Sequence, residues 1–375
     1  MNLNSADRKK LETMLDQLGR AVEDLLLTGL TTASETTRQT LNVAFQEASR
    51  LKLLRLGGTL RVANEELGRF TRNDADFSRN RFAFFLNRAW MLGKGMARAL
   101  QAGDDAAFDQ LNWLPTQVPV KKLDVVTLGV VKKVTTNTVV IFDFRLRLLD
   151  AVNNMQPGQR LSWSCIFPIK PGTDIPPEGY LHLPQKKQRF KAFQFLDGNV
   201  LTLENVAVTL DEYGNGRLAL NDESTVNPGK AFSDWSRFQT WDSAAAIQRV
   251  QAHEPGPFDL DVEMQEEVVL DAWTIGKPTN PAEEKQLLYP ITSREVAFCA
   301  PVSQTSEGKA LKKQLDEFIK KKDLPPLFGL LHYEKCRLML QPLTVFRKNE
   351  PDHLMISKEK VEQKALLKAL NLTGN

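Results

Sequence analysis

The chain has 375 residues, 42% of them hydrophobic and 25% charged, and a formal net charge of +3. That size and balance suit two or three soluble globular domains, each with a sizeable core, and the net charge is too small to argue by itself for nucleic acid. Nowhere do roughly 18 apolar residues run together, and Met1 to Lys10 lacks the apolar segment of a secretory signal, so membrane spanning and secretion are not expected. Cys165, Cys299 and Cys336 lie far apart without a C-x-x-C pair, which excludes a disulfide framework or zinc ribbon and points to a reducing, cytoplasmic setting.

The first third reads as helix. Leu11, Met14, Leu15, Leu18, Val22 and Leu25 fall on one stripe, predicting a helix from Asn4 or Ser5 to about Leu27, ended by Gly29. A second is predicted from Ser34 through Leu41, Phe45, Ala48 and Leu56 to a break at Gly57-Gly58, and a third from Leu60 to Phe70. The fourth, capped by Asp74 or Asp76, carries Phe84, Phe85 and Trp90 on its packing stripe as far as Leu100. A short fifth spans Asp104 to Asn112. Short connections between such helices favour an antiparallel bundle.

At Trp113-Leu114-Pro115 the grammar changes: upstream there is no proline, and downstream apolar residues alternate between Pro and Gly breaks. Strands are predicted at Val125 to Val134 and Thr138 to Leu149, the second with Phe142, Phe144, Leu146 and Leu148 buried and Asp143, Arg145 and Arg147 solvated. More follow at Arg160 to Phe167, Phe190 to Leu196, Asn199 to Val208 and Arg217 to Leu220, with a tight turn at Asp197-Gly198. Pro168 to Pro184 and Asn221 to Trp241 read as irregular, and a short helix is expected at Asp242 to Gln251. Then come strands at Leu260 to Ile275 and Glu295 to Pro301, a Lys-rich helix near Gly308 to Lys322, a hairpin at Leu327 to Phe346 and a helix from Ser357 to Leu370. The fold expected is α+β: an N-terminal antiparallel helical bundle, then a β-rich body, sandwich or barrel-like, with interspersed helices and a C-terminal helix. The domain boundaries expected are 1–113, 120–253 and 258–375, the last two forming separate domains or one continuous β body.

Leu128-Gly129-Val130-Val131 and Phe328-Gly329-Leu330-Leu331 each open a hairpin whose second strand alternates. A duplicated β-unit would explain the likeness; two ordinary hairpins that place Gly early is the simpler reading.

Sequence motifs give little chemistry. Gly229-Lys230 is no phosphate loop, because Ser224 stands where its first Gly should be and Ala231 follows the Lys. Gly93-Lys94 fails in the same way. His182, His253, His332 and His353 are scattered, and His332 with Cys336 makes only a two-ligand fragment, so no metal or cofactor is assigned. No nucleophile stands beside a base in a known pattern, which leaves no catalytic residue to name and an enzyme of unfamiliar type as the third choice.

Charge is unevenly distributed. Between Asp259 and Glu284 eight acids, including Asp259, Asp261, Glu263, Glu266 and Glu267, face Lys277 alone, a local charge of about −7. Met264 sits where a calcium loop needs Gly, so this stretch is expected to be a solvated strand face, with a partner-facing acidic patch as the sharper alternative. From Arg50 to Arg98 eleven bases, nine of them Arg, outnumber four acids, for about +7. Arg69, Arg72, Arg79 and Arg81 flank the break before the fourth helix with Phe70 and Phe77, and they form the candidate contact surface. These features suggest a non-catalytic cytoplasmic interaction protein, a subunit or adaptor with protein partners. The alternative is nucleic-acid binding through the Arg-rich module.

Overall fold

The computed structural model describes residues 5–32, 35–74, 77–112, 117–135, 139–169, 176–183, 190–210, 215–238, 242, 244, 248, 265–281, 286–304, 308–334, 337–347 and 350–356. These fall into two compact units, one within Met1–Pro115 and one after it. The mixed α+β class holds. The helix expected at 357–370 lies outside the described residues, as does most of that expected at 242–251.

The first unit contains α1 (Ser5–Thr28), α2 (Glu35–Arg50), α3 (Leu54–Thr71), α4 (Arg79–Ala102) and α5 (Asp105–Asn112). The α1 stripe from Leu11 to Leu25 is buried, as its spacing requires. Arg8 donates to the Leu100 carbonyl at 2.6 Å and Trp90 to Glu23 at 2.9 Å, so α1 runs against α4. Arg50 reaches Asp7 at 3.4 Å and Thr37 reaches Asp24 at 3.5 Å, which sets α2 antiparallel to α1.

Three sequence expectations change here. The second break comes at Leu51–Leu53, where Lys52 adopts φ 55°, and not at Gly57-Gly58. Gly57 lies inside α3 and faces Ala48 of α2, which stands at an ordinary van der Waals distance, 3.8 Å, from where a Cβ would be. Ser78, and neither Asp74 nor Asp76, caps α4, its hydroxyl accepting from the Arg81 amide at 3.2 Å. The buried α4 stripe is Phe82, Leu86, Ala89, Leu92 and Met96; Phe84, Phe85 and Trp90 are only half-buried.

The second unit holds two barrels. Strands β1 (Gln117–Thr135), β2 (Val139–Leu148), β3 (Arg160–Pro168), β4 (Asn199–Leu210), β5 (Gly216–Ala219) and β6 (Thr225–Ala231) form one sheet in the order β1-β2-β3-β5-β4-β6. It closes because β1, long enough to serve both neighbours, pairs with β4 from Gln117↔Thr209 to Val125↔Leu201 and with β2 from Val125↔Leu148 onward. β3 and β5 are parallel, and the other pairings are antiparallel. The second sheet runs through β7 (Gln265–Leu270), β11 (Leu327–Glu334), β12 (Arg337–Arg347), β10 (Val296–Ser303), β9 (Gln286–Ser293) and β8 (Thr274–Ile275), with β13 (Glu350–His353) beside β12. Only Asp271 to Trp273 separate β7 from β8, which act as two halves of one bent strand: β7 pairs with β11 and β8 with β9. Here β10 and β12 are the parallel pair. Helix α6 (Lys309–Phe318) connects β10 to β11 and plugs its barrel with Leu311, Leu315 and Phe318. Both barrels therefore have the strand order 1-2-3-5-4-1 of a five-stranded Greek-key barrel of the OB kind.

In the first barrel Phe144 stacks on Trp163 at 5.3 Å, and Phe195 packs tilted against Trp163 at 4.5 Å. Each such ring contributes about 1.5–3 kcal/mol by burial. The expected strand at Phe190 to Leu196 is instead a 3-10 turn over Ala192–Leu196, which aims Phe190 and Phe195 into this core. Three strands, β6, β9 and β13, were not expected. Pro228 interrupts β6 and Pro290 interrupts β9, and both strands tolerate it: β6 is an edge paired only with β4, and Pro290 is exposed, its carbonyl accepting from Gly276.

The two barrels share a fourth apolar cluster made of Val126, Leu128, Val131, Trp235, Val269, Phe328, Leu330, Leu343 and Phe346. A Cβ on Gly129 would stand 2.7 Å from Phe328 Cε1 and 3.1 Å from Leu343 Cβ. The two similar Gly-containing segments are thus in contact with each other. They occupy first and fourth barrel strands, so they are not equivalent positions of a repeat, although the barrel topology itself occurs twice.

Candidate functional site

The corner between α3 and α4 is organised by Glu66, whose side chain is 1% exposed. One oxygen accepts from Arg69 at 2.6 Å and lies 3.6 Å from Arg81 Nε; the other accepts the Ser78 amide at 3.0 Å. Glu65 takes the second nitrogen of Arg69 at 3.0 Å. Of the four candidate arginines, Arg69 and Arg81 are therefore partly neutralised within the unit. Arg72 and Arg79 are exposed and carry no ion pair among the described residues. Arg72 lies back along α3, 3.2 Å from where a Cβ on Gly68 would stand.

Phe70 and Phe77 pack on each other at 5.2 Å, both half-buried, with Phe77 joined to the helical core. The same side of α4 offers more than the sequence suggested: Phe84 and Phe85 meet edge to face at 5.1 Å, with Arg81 6.0 Å over Phe85 and Arg88 5.8 Å over Phe84. Arginine over an aromatic face is held by the ring quadrupole with its nitrogens still free to bond outward. Sequence reading missed Glu66, Phe84, Phe85 and Arg88 as parts of this surface. The Glu66 to Arg69 spacing of three was a readable signal for the first, while the others were misassigned through the helical phase of α4.

Of the acidic stretch, Glu267 departs from both expectations. Asp259, Asp261 and Glu263 lie outside the described residues, whereas Glu266 and Glu267 stand on β7. The Glu267 side chain is 8% exposed and makes a 2.5 Å ion pair with Arg147 of β2, with Arg145 at 3.9 Å. It is neither a solvated face nor open to a partner, because β7 lies against the first barrel. Arg147, expected to be solvated, is buried by the same contact. Burial works against its charge and lowers its basicity, which Glu267 offsets in part.

Other polar groups have structural surroundings. Lys132 and Glu178 form a buried 2.7 Å pair in the first barrel. His182 stacks on Phe193 at 4.3 Å, and burial pushes its basicity down. His332 lies 3.6 Å from Glu334, and Cys336 lies outside the described residues. Burial pushes the Cys165 thiol up to about 12, so it is unreactive at neutral pH. Among the described residues no three His, Cys, Asp or Glu side chains are placed to hold a metal ion, and no helix is long and apolar enough to cross a membrane.

No protein-family model and no curated protein matches the sequence. Among solved structures, the chain is similar to one solved in a study of structural mimicry for functional antagonism, with 10% identity over 61% of this chain and 93% of that one, and a TM-score of 0.30. It is also similar to the tetrameric p202 HIN2, with 13% identity, 60% and 91% coverage and a TM-score of 0.27. A third is p202 HIN1 in complex with a 12-mer dsDNA, with 10% identity, 61% and 92% coverage and a TM-score of 0.23. Likeness at this level fixes neither fold nor function.

Proposed function

We propose that the protein is a non-catalytic cytoplasmic interaction protein, a subunit or adaptor, whose helical unit receives an acidic surface of a protein partner at the α3–α4 corner. The observation that carries this reading is the division of labour among the four arginines. Glu66 and Glu65 hold Arg69 and Arg81, and so set the corner, while Arg72 and Arg79 stay exposed without an ion pair among the described residues. Arginine is suited to bidentate capture of carboxylates, and a corner fixed in advance loses little freedom on binding. The cytoplasmic setting is supported by Cys165 and Cys299, both free. Residues 1–113 are proposed as a separately folding domain.

A second reading, nucleic-acid binding through the same surface, is favoured by the Arg81–Phe85 and Arg88–Phe84 pairs, since arginine interleaved with rings suits phosphates and bases. The barrel topology adds no weight to it, because a fold hosts many functions and the Arg145–Arg147 end of the first barrel is closed by Glu267. The two readings separate on nuclease treatment and salt. An assembly purified from the native host should survive nuclease and persist between about 50 and 200 mM salt if it is held by protein. Nucleic acid held by several phosphate contacts should lose on the order of a thousandfold in affinity over that range.

A further inference from the structure

Between the two barrels lies a cleft of about 190 Å³, lined among others by Arg145, Arg160, Ser162, Asn215 and Glu266. We infer that it is a binding site for a small oxyanion, a phosphate or a carboxylate, seated between the guanidinium groups of Arg145 and Arg160.

The argument begins with strand register. Arg145 pairs with Ser162 across β2 and β3, and Arg147 with Arg160, so three guanidinium groups and a hydroxyl share one outer face of the first barrel. Unrelieved, three cations on adjacent positions repel one another. The second barrel supplies one strong counter-charge: Glu267 is committed to Arg147 at 2.5 Å, and its distance to Arg145 is 3.9 Å. Among the described residues Arg160 has no carboxylate partner, and its hydrogen bond there is a long 3.5 Å contact to the Glu267 backbone carbonyl. The Nε of Arg145 is buried without an acceptor. Counting Arg147 together with the Glu267 it binds, the described residues here carry three guanidinium groups against Glu266 and Glu267, one positive charge in excess. Two forked donors with unfilled bonding capacity among the described residues, and the Ser162 hydroxyl, which makes only a long 3.4 Å bond to the Gly216 carbonyl, face a space of several water volumes. That is the chemistry that recognises an oxyanion. The space is too small for a polymer backbone, which selects a small ligand. The site is independent of the helical corner proposed above.

The test is isothermal titration calorimetry of the full chain with inorganic phosphate and, separately, with succinate. One-to-one saturable binding of either is expected, the stronger of the two identifying which oxyanion the site takes. Arg160→Gln should weaken that binding about tenfold or more, as loss of a charge-assisted hydrogen bond does. Should Arg160→Gln fail to fold, Ser162→Asp, which places a carboxylate in the cleft without touching the Arg147–Glu267 pair, should abolish binding while circular dichroism reports an intact chain. No saturable heat with either anion, or binding that survives both substitutions, would overturn the proposal.

Discussion

Glu66 shows how a single residue can decide what a charged surface is for. Four arginines flank the α3–α4 break, and composition alone makes them look equivalent. The buried carboxylate of Glu66 singles out Arg69 and Arg81 and ties the Ser78 amide besides. Glu66→Gln keeps the shape and removes the charge, leaving Arg69 and Arg81 with poorer acceptors. It should destabilise the helical unit by about 1–3 kcal/mol in a urea titration, the range for a lost bond to a charged group. An unchanged midpoint would mean that Glu65 alone suffices for Arg69. At Gly129 the argument is steric. A side chain there would enter Phe328 and Leu343 at the seam between the barrels, so Gly129→Val should cost about 1–3 kcal/mol by overpacking and lower the melting temperature of the β unit.

Elements were legible in the sequence where one periodicity dominated and obscure where two requirements competed. The α1 stripe and the Phe142, Phe144, Leu146, Leu148 alternation were readable because one face is apolar along the whole element. The helical phase of α4 was misjudged because aromatics lie on two faces, Phe82 inward and Phe84 and Phe85 half out. β6 and β9 were hidden by Pro228 and Pro290, since a position that forgives a missing amide, at the edge in β6 and exposed in β9, leaves no mark in the sequence. For β2 the alternation was right but solvation was wrongly inferred. Alternation reveals which residues face out of a barrel and not what a second barrel later lays over them. Glu267 and Arg147 meet there, eight and nine per cent exposed. Removing one partner of such a pair leaves an uncompensated buried charge, so Glu267→Gln should cost about 3–5 kcal/mol. The double variant Arg147→Met with Glu267→Leu should recover most of it in thermal melts; a double variant as unstable as the single would show that the pair is worth more than its apolar replacement.

For the whole molecule, the sequence disclosed the class and the change from helix to strand near Pro115, because those follow from composition and local period. It could not disclose closure of the sheets, which depends on β1 being long enough to pair at both ends and on the bend between β7 and β8. Nor could it disclose that the acidic segment supplies a structural counter-ion, because β2 and β7 lie more than a hundred residues apart. The candidate surface was found by charge counting, yet its division into arginines held by Glu65 and Glu66 and arginines without an ion pair among the described residues depends on how α3 packs against α4. The central claim is that Arg72 and Arg79 serve a partner and not the fold. The most direct test is Arg72→Glu with Arg79→Glu, measuring thermal stability and recovery of the native assembly together. The account predicts a melting temperature close to that of the parent, as is usual for exposed substitutions, with loss of the assembly. A double variant that unfolds, or one that keeps its assembly intact, would contradict it.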